Sequence, residues 1–205
     1  IDGHLAATHR DLAGDLVALV APHAGLMYSG PVAAHAYRLL EGRTFDVAVL
    51  VGPSHFIGFD GVSIVSSGGF ATPLGVSPIE VDCARALRES SPVIREHPTA
   101  HAREHSLEMQ LPFVRRLAPD AKILPLVMGW QTDETARALG EALAHVLRQV
   151  GWRAMRLDGG YKTYRRAVID ELEVLPQRYR CCVVCGLTGS GKSRLLRALA
   201  LQGAQ

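Results

Sequence analysis

Short apolar segments alternate with helical ones along most of the chain, and this alternation constrains the fold more than any other feature. Residues 15–21 and 45–51 are apolar and rich in valine, as is typical of strands that are buried on both faces. Weaker or shorter patterns predict further strands over residues 61–66 and 121–128. Strands of this kind occur mainly in parallel sheets covered by helices, so we predict an α/β fold with a mostly parallel sheet.

Two helices are predicted from their start signals. Proline is favoured in the first turn of a helix, so Pro31 predicts a helix over residues 31–41. Ser77 and Glu80 have the spacing of a capping box, which predicts a second helix ending near residue 89.

Two histidines directly follow the two buried strands. His23 and His55 each lie in the loop at a strand end, and the carboxyl ends of neighbouring parallel strands form the ligand crevice of an open α/β sheet. Two imidazoles at that edge can converge on one ion, and imidazole suits zinc, copper, iron or nickel. The alternative is that each histidine only hydrogen-bonds its own loop, because two ligands do not close a metal site.

The segment from His101 to His105 has the form H-x-x-E-H. A helix is expected over residues 104–117, with a kink at Pro112. If the helix includes the whole segment, both histidines share one face, and Glu104 could act as the base of a zinc peptidase. A loop at a helix start is the alternative, since a motif this short also arises by chance.

Three longer motifs resemble the Memo family, whose members are related in fold to class III extradiol dioxygenases. The motifs are APHAGLMYSGPVAAHAYRLL at residues 21–40, VGPSHF at residues 51–56 and HAREHSLEMQLPFV at residues 101–114. They occur in the family's order, and the resemblance extends from residue 1 to about residue 147. It therefore implies a Memo-like domain over residues 1–147 that corresponds to the first half of the family's proteins.

The resemblance also implies the roles of three histidines. His23 and His55 would bind a redox-capable iron or copper ion, and His105 would line the same pocket as a catalytic residue. In bacteria the family is associated with a radical-SAM partner. Its later half, with a Ser-Ser-Asp motif and a metal-binding cysteine, has no counterpart here, so we expect a weak or incomplete metal site. Cys83 does not match that cysteine and is interpreted as a small buried hydrophobic residue.

A phosphate-binding loop is predicted near the end of the sequence. The pattern G-x-x-x-x-G-K-S lies between a strand predicted over residues 180–185 and a helix predicted over residues 192–201, as the motif requires. Backbone amides would surround a phosphate, the lysine would reach the β- and γ-phosphates, and the serine would hold Mg²⁺. No acidic strand follows to position the Mg²⁺, so we expect negligible nucleotide affinity. The candidate residues are Gly186, Thr188, Gly189, Ser190, Gly191, Lys192 and Ser193.

Residues 151–168 and 183–205 resemble a second family, tRNA 2-selenouridine synthase. The motifs are GWRAMRLDGGYKTYRRAV and VVCGLTGSGKSRLLRALALQGAQ, and they imply a small βαβα fragment with the end of a rhodanese domain and the start of a P-loop domain. No residue matches that family's catalytic cysteine. Residues 151–205 carry a net charge of +6 against −4 for residues 1–150, which would suit contact with tRNA. Cys182 and Cys185 form a C-x-x-C pattern, which we interpret as structural because it lies in an apolar strand.

The junction between the two resemblances lies in an amphipathic helix predicted over residues 132–150. Both families have such a helix near this point, so we expect a chimera of two truncated segments, 1–147 and 148–205. The longest apolar runs are too short to span a membrane, and without a signal peptide we expect a cytoplasmic protein. Three hypotheses stay open: a Memo-like metal-binding protein, a tRNA-modifying selenium transferase, and an inactive fragment.

Overall fold

The structure is a computed structural model that describes residues 1–9 and 19–149, together with the backbone of two later strands. The first half of the order is α1 (Asp2–Ala6), β1 (Leu19–Pro22), α2 (Leu26–Tyr37), β2 (Val47–Pro53), β3 (Val62–Ile64), β4 (Gly69–Thr72), β5 (Gly75–Pro78) and α3 (Val81–Ser90). The second half is β6 (Ile94–Arg95), α4 (Pro98–His101), α5 (Leu111–Leu117), β7 (Lys122–Met128), α6 (Asp133–Gln149), β8 (Ala154–Met155) and β9 (Cys181–Leu187).

A mainly parallel sheet is the centre of the fold, as predicted. Its strands lie in the order β1-β9-β2-β7-β3-β6, and β8 pairs with β9. All of these pairs are parallel except β3 with β7, which is antiparallel. Strands β4 and β5 form a separate antiparallel hairpin. The carboxyl ends of β1, β9, β2 and β7 therefore lie along one edge of the sheet.

The core is built on β2 and β7, which pair over their full length from Val47 with Lys122 to Pro53 with Met128. Every residue of β2 is buried, as is every residue of β7 except Lys122. Helix α2 packs on β1, and α3 packs on α6. Burial of this much apolar side-chain area is the main source of stability, and it holds the strand ends in fixed positions.

Helix α2 begins at Leu26, so the prediction that it starts at Pro31 is wrong. The Gly25 carbonyl accepts hydrogen bonds from the amides of Tyr28, at 2.8 Å, and Ser29, at 3.1 Å. The Ser29 hydroxyl also donates to the Ala24 carbonyl at 2.8 Å. These bonds complete the first turn before Pro31, which consequently lies inside the helix. The loop that carries His23 is short for the same reason.

The predicted capping box is also wrong, because Ser77 lies in β5 opposite Phe70. Helix α3 begins at Val81 without a side-chain cap, and the Glu80 carboxylate instead accepts a hydrogen bond from Lys122 Nζ at 2.7 Å. Tertiary contact with β7 therefore outweighs a local capping signal at this position. The β4–β5 hairpin was not predicted from the sequence.

The helix expected over residues 104–117 is shorter and has no proline kink. A turn of 3₁₀ helix at Glu108–Gln110 precedes α5, and Pro112 lies in the first turn of α5, where its missing amide costs nothing. Helix α6 follows the prediction closely. It is the longest helix that the structure describes, and no helix of that part has the length and apolar character needed to cross a membrane.

Several predictions fall partly or wholly outside the described residues. Strand β9 overlaps the strand predicted over residues 180–185. The helix predicted over residues 192–201 lies outside, as do residues 15–18 of the first predicted strand. The predicted domain boundary near residue 147 stays a prediction.

Two glycines with positive φ allow the effect of backbone strain to be distinguished from the effect of steric overlap when each is replaced by alanine. Gly61, at φ +90°, lies just before β3, and a Cβ there would overlap the Val93 carbonyl; Gly68, at φ +84°, faces open space. We expect Gly68→Ala to lower the free energy of unfolding by about 1 kcal/mol through strain alone. We expect Gly61→Ala to cost about 3 kcal/mol or more, because the backbone must also shift. Equal losses in urea denaturation would contradict this account of Gly61.

Candidate metal centre

The sheet edge places His23 and His55 close together. His23 directly follows β1, and His55 lies two residues beyond β2. The expectation that these strands are neighbours is wrong, because β9 lies between them. The imidazoles nevertheless meet: their Nε2 atoms are 3.3 Å apart and their ring centroids 5.0 Å apart. The predicted convergence of the two side chains is therefore confirmed, although the strands that carry them are not adjacent.

His105 completes a cluster of three imidazoles, which we call the histidine triad. It comes from the loop between α4 and the 3₁₀ turn, and its ring stacks on His55 with centroids 4.8 Å apart and an interplanar angle of 27°. Its centroid is 5.7 Å from that of His23. One ring nitrogen from each histidine lies within 4.8 Å of the other two. His23 is buried, whereas His55 and His105 reach the surface.

A buried carboxylate orients the triad. Glu104 accepts hydrogen bonds from His55 Nδ1 at 2.8 Å, from the His55 amide at 2.6 Å and from the Ser106 amide at 2.8 Å. His105 Nδ1 lies 3.6 Å from the same carboxylate. Because a carboxylate accepts the proton of Nδ1, His55 is held in the tautomer that leaves Nε2 unprotonated. That lone pair then points toward His23.

The pKa of Glu104 reflects two opposing effects. Burial alone would raise the pKa, since it disfavours the charged form. The hydrogen bonds from the His55 ring, the His55 amide and the Ser106 amide outweigh burial, and the pKa lies below its ordinary value of 4.5. Glu104 is therefore a permanent anion near neutral pH.

Two buried polar residues fix the loop to the strand ends. The Ser106 hydroxyl donates to the Pro53 carbonyl at 3.1 Å. The Gln110 amide nitrogen lies 3.3 Å from both the Pro22 and the Ser106 carbonyls, and its oxygen accepts from the Tyr37 hydroxyl at 2.9 Å. The loop that carries His105 is thereby bonded to the ends of both β1 and β2. Sequence reasoning missed Ser106 and Gln110, although a polar S-x-x-x-Q pattern inside an apolar segment marks them.

The triad has the geometry of a metal site. Two imidazole nitrogens about 2.1 Å from one tetrahedral ion lie roughly 3.4 Å apart, close to the observed Nε2–Nε2 separation of 3.3 Å. Both oxygens of Glu104 already accept hydrogen bonds, so its role is to orient His55 rather than to bind the ion. Three imidazoles with an open side suit a transition metal that keeps a position for another ligand.

The zinc-peptidase interpretation of the H-x-x-E-H segment is wrong. Helix α4 ends at His101, so His101 and His105 do not share a helical face. The His101 ring lies near Phe70, with centroids 6.5 Å apart, and burial lowers its pKa. Glu104, which would be the catalytic base of a zinc peptidase, instead accepts a hydrogen bond from His55.

The remaining candidate residues lie elsewhere. Cys83 is fully buried, as predicted, and burial raises the pKa of its thiol to about 12, so it is unreactive. Gly186, Cys182 and Cys185 belong to β9, whose side chains are not described. The other P-loop candidates lie outside the described residues: Thr188, Gly189, Ser190, Gly191, Lys192 and Ser193.

The fold and the triad define an α/β protein with three clustered histidines, at the carboxyl edge of its sheet, that could hold a metal ion. Comparison with known sequences gives the family: the Memo-like protein family matches residues 9–155, and the chain belongs to it.

Several curated relatives support this assignment. A MEMO1 family protein of Pyrobaculum aerophilum is 42% identical over 144 residues, which is 70% of this chain and 51% of the relative. One of Methanothermobacter thermautotrophicus is 40% identical over 134 residues, 65% of this chain and 48% of the relative. One of Methanosarcina mazei is 37% identical over 166 residues, 78% of this chain and 60% of the relative. The chain thus spans about half the length of most curated relatives that it matches.

We expect Glu104→Gln to weaken metal binding. The amide cannot act as a charged acceptor for His55 Nδ1, so the Nε2 lone pair is no longer fixed. Loss of such an orienting carboxylate costs about 10- to 100-fold in affinity, measurable by calorimetric titration with Zn²⁺. Glu108→Gln is the matched control, since Glu108 is exposed and lies outside the triad. Equal affinities for the two variants would contradict the orienting role.

The lowered pKa of Glu104 also predicts a pH dependence of stability. The unfolded chain binds a proton at Glu104 near pH 4.5, whereas the folded chain binds it only at lower pH. The stabilisation is therefore complete above pH 4.5 and is lost as the pH falls through the folded-state pKa. We expect the free energy of unfolding, measured by urea denaturation between pH 6 and pH 3, to depend less steeply on pH in Glu104→Gln than in the parent chain. The same slope in both would show that Glu104 titrates normally.

Proposed function

We propose that this Memo-like protein holds one iron or copper ion on His23, His55 and His105 and that the centre is redox-active. One observation carries the proposal: three imidazole nitrogens converge within 4.8 Å at a sheet edge. Neutral imidazole is a ligand for both metals. The family resemblance favours them over zinc, which also accepts imidazole.

Each histidine has a distinct role in this proposal. His23 is buried beside the end of β1 and anchors the ion from the protein side. His55 presents an Nε2 lone pair because Glu104 accepts its other ring proton. His105 is the most accessible, with 41% of its side chain exposed, so it can either supply the third nitrogen or move a proton to or from a substrate.

A bound iron or copper ion would supply one-electron chemistry and open positions for a substrate. The residues of the chain would keep the ion's charge largely uncompensated, because the three imidazoles are neutral and Glu104 acts only through His55. An electron-rich substrate would therefore be favoured. Three ligands also leave the site incomplete, so we expect weaker binding than at a closed four-ligand centre.

We also propose a partner protein for this centre, and we extend the activity of the longer relatives to this chain only as a proposal. The resemblance to the Memo family favours a radical-SAM protein as the partner of this centre. The chain matches about half of its relatives' length, so the activity of those longer proteins is proposed for this chain only through the shared triad. Co-purification with a radical-SAM protein from a bacterial host tests the partnership.

A second candidate function rests on residues 148–205. Strand β9 ends at Leu187, directly before the rest of the predicted P-loop, which is the strand–loop order that the motif needs. This order favours a tRNA 2-selenouridine synthase fragment with a nucleotide site of negligible affinity. Binding of tRNA that is abolished by Lys192→Ala would support it. Absence of both tRNA binding and metal binding, with non-cooperative unfolding, would favour the inactive chimera.

Metal analysis tests the leading proposal. In an anaerobic titration with Fe²⁺ or Cu⁺, we expect about one ion to bind per parent chain, with the modest affinity of a three-ligand site. His23→Ala and His55→Ala should weaken binding by more than about a hundredfold, beyond the loss of an orienting residue, and His105→Ala should have a smaller effect. His145→Ala on α6 is the control, because that histidine is exposed and outside the triad. Unchanged binding in His23→Ala and His55→Ala would overturn the proposal.

A further inference from the structure

Gln110 is a fully buried residue whose side-chain amide uses both its oxygen and its nitrogen. The oxygen accepts a hydrogen bond from the Tyr37 hydroxyl at 2.9 Å, and the nitrogen donates to the carbonyls of Pro22 and Ser106, both at 3.3 Å. Because a carbonyl can only accept, the two carbonyls require the nitrogen side of the amide, and the Tyr37 hydroxyl must be a donor. We call Gln110 and these three partners the amide bridge.

The amide bridge joins two separate parts of the site. Pro22 is the last residue of β1 and directly precedes His23. Tyr37 is the last residue of α2, which packs on β1. The third partner, Ser106, directly follows His105 in the loop between α4 and the 3₁₀ turn. The bridge therefore links the segment that carries the first histidine of the triad to the loop that carries the third.

His23 comes from a strand that is not paired with the strand that leads to His55. Strand β9 lies between β1 and β2, so backbone pairing joins these two strands only through β9. In contrast, His55 and His105 lie at one carboxylate, because Glu104 is 2.8 Å from His55 Nδ1 and 3.6 Å from His105 Nδ1. The contact between the Nε2 atoms of His23 and His55 cannot position the two rings around an ion, because an entering ion must take its place. The amide bridge is a link between the two sides that an ion leaves intact.

The geometry points to Gln110 as a positioning residue that sets the distance of His23 from the other two imidazoles of the proposed metal centre. This inference rests on the proposed metal-binding function. Ligands must be held within about 0.5 Å of their productive geometry. Without the amide, the carbonyls of Pro22 and Ser106 would lose a shared donor, and the end of β1 would be less firmly held against the loop. Glu104 thus orients His55, whereas Gln110 places His23.

Zinc titration of Gln110→Met tests this inference. Methionine has a similar length and flexibility but no amide, so it fills the space without forming the bridge. We expect zinc affinity to fall by about 10- to 100-fold, the usual cost of losing a residue that positions a metal ligand. Ser63→Ala is the control, because Ser63 is buried and donates to the His97 carbonyl at 3.1 Å, outside the bridge. We expect this control to bind zinc as the parent does.

A double variant separates positioning of His23 from a general loss of structure. If Gln110 acts by placing His23, then Gln110→Met adds no further loss once His23 is replaced by alanine. We therefore expect His23→Ala and the double variant to have equal zinc affinities within about twofold. A further loss of tenfold or so in the double variant would overturn the inference, because the amide would then act on the rest of the site.

Urea denaturation of the metal-free variants shows whether each one folds. If Gln110→Met does not unfold cooperatively, Tyr37→Phe takes its place, because the phenyl ring keeps the stacking on Phe113, with centroids 4.6 Å apart, and loses only the hydroxyl. We then expect a loss of roughly two- to tenfold, the effect of one hydrogen bond, and the affinity of the parent would overturn the inference.

The zinc affinity of the parent separates the two proposals. A parent that binds zinc, together with a folded Gln110→Met of equal affinity, would overturn the role of Gln110 alone. An equal loss in Ser63→Ala would also overturn that role, because any lost buried hydrogen bond would then have the same effect. A parent that binds no zinc would overturn the metal centre and this inference with it.

Discussion

The hydrogen bond between the Glu104 carboxylate and His55 Nδ1 is the interaction on which the site depends. A buried carboxylate is costly unless donors surround it, and here the His55 ring, the His55 amide and the Ser106 amide supply them. The same bonds fix the tautomer of His55 and direct its Nε2 toward His23. Glu104 thus fixes the loop that carries His55 against the loop that carries His105, and it sets which nitrogen of His55 is free to bind an ion.

The rest of the fold keeps those loops in place. Strands β2 and β7 are paired over their full length and buried, so the end of β2 is rigid. Ser106 and Gln110 then tie the His105 loop to the carbonyls of Pro53 and Pro22. Gly52 is needed for this approach, because a Cβ there would overlap the Ser106 side chain. The packed sheet and the buried side chains of Ser106 and Gln110 together bring three imidazoles from distant parts of the sequence to one point.

Sequence alone predicted the elements whose signal is carried by their own residues. The apolar runs of β1, β2 and β7 and the amphipathic pattern of α6 are signals of this kind. The positions of His23 and His55 follow from the ends of β1 and β2. Several failures occurred where a distant contact decides the structure. Glu80 binds Lys122 rather than capping α3, and Glu104 orients His55, 49 residues away, rather than serving a helical zinc motif. The presence of β9 between β1 and β2 also could not be read from local patterns, because strand order depends on long-range pairing.

We propose that three imidazoles bind one ion at this edge of the sheet, and X-ray absorption spectroscopy of the iron- or copper-loaded protein measures that coordination. We expect three imidazole nitrogens at about 2.0–2.1 Å from the metal, a typical metal–imidazole distance, with oxygen or nitrogen donors in any remaining positions. A spectrum with fewer than three imidazoles, or one dominated by sulfur or carboxylate oxygen, would contradict three-histidine binding.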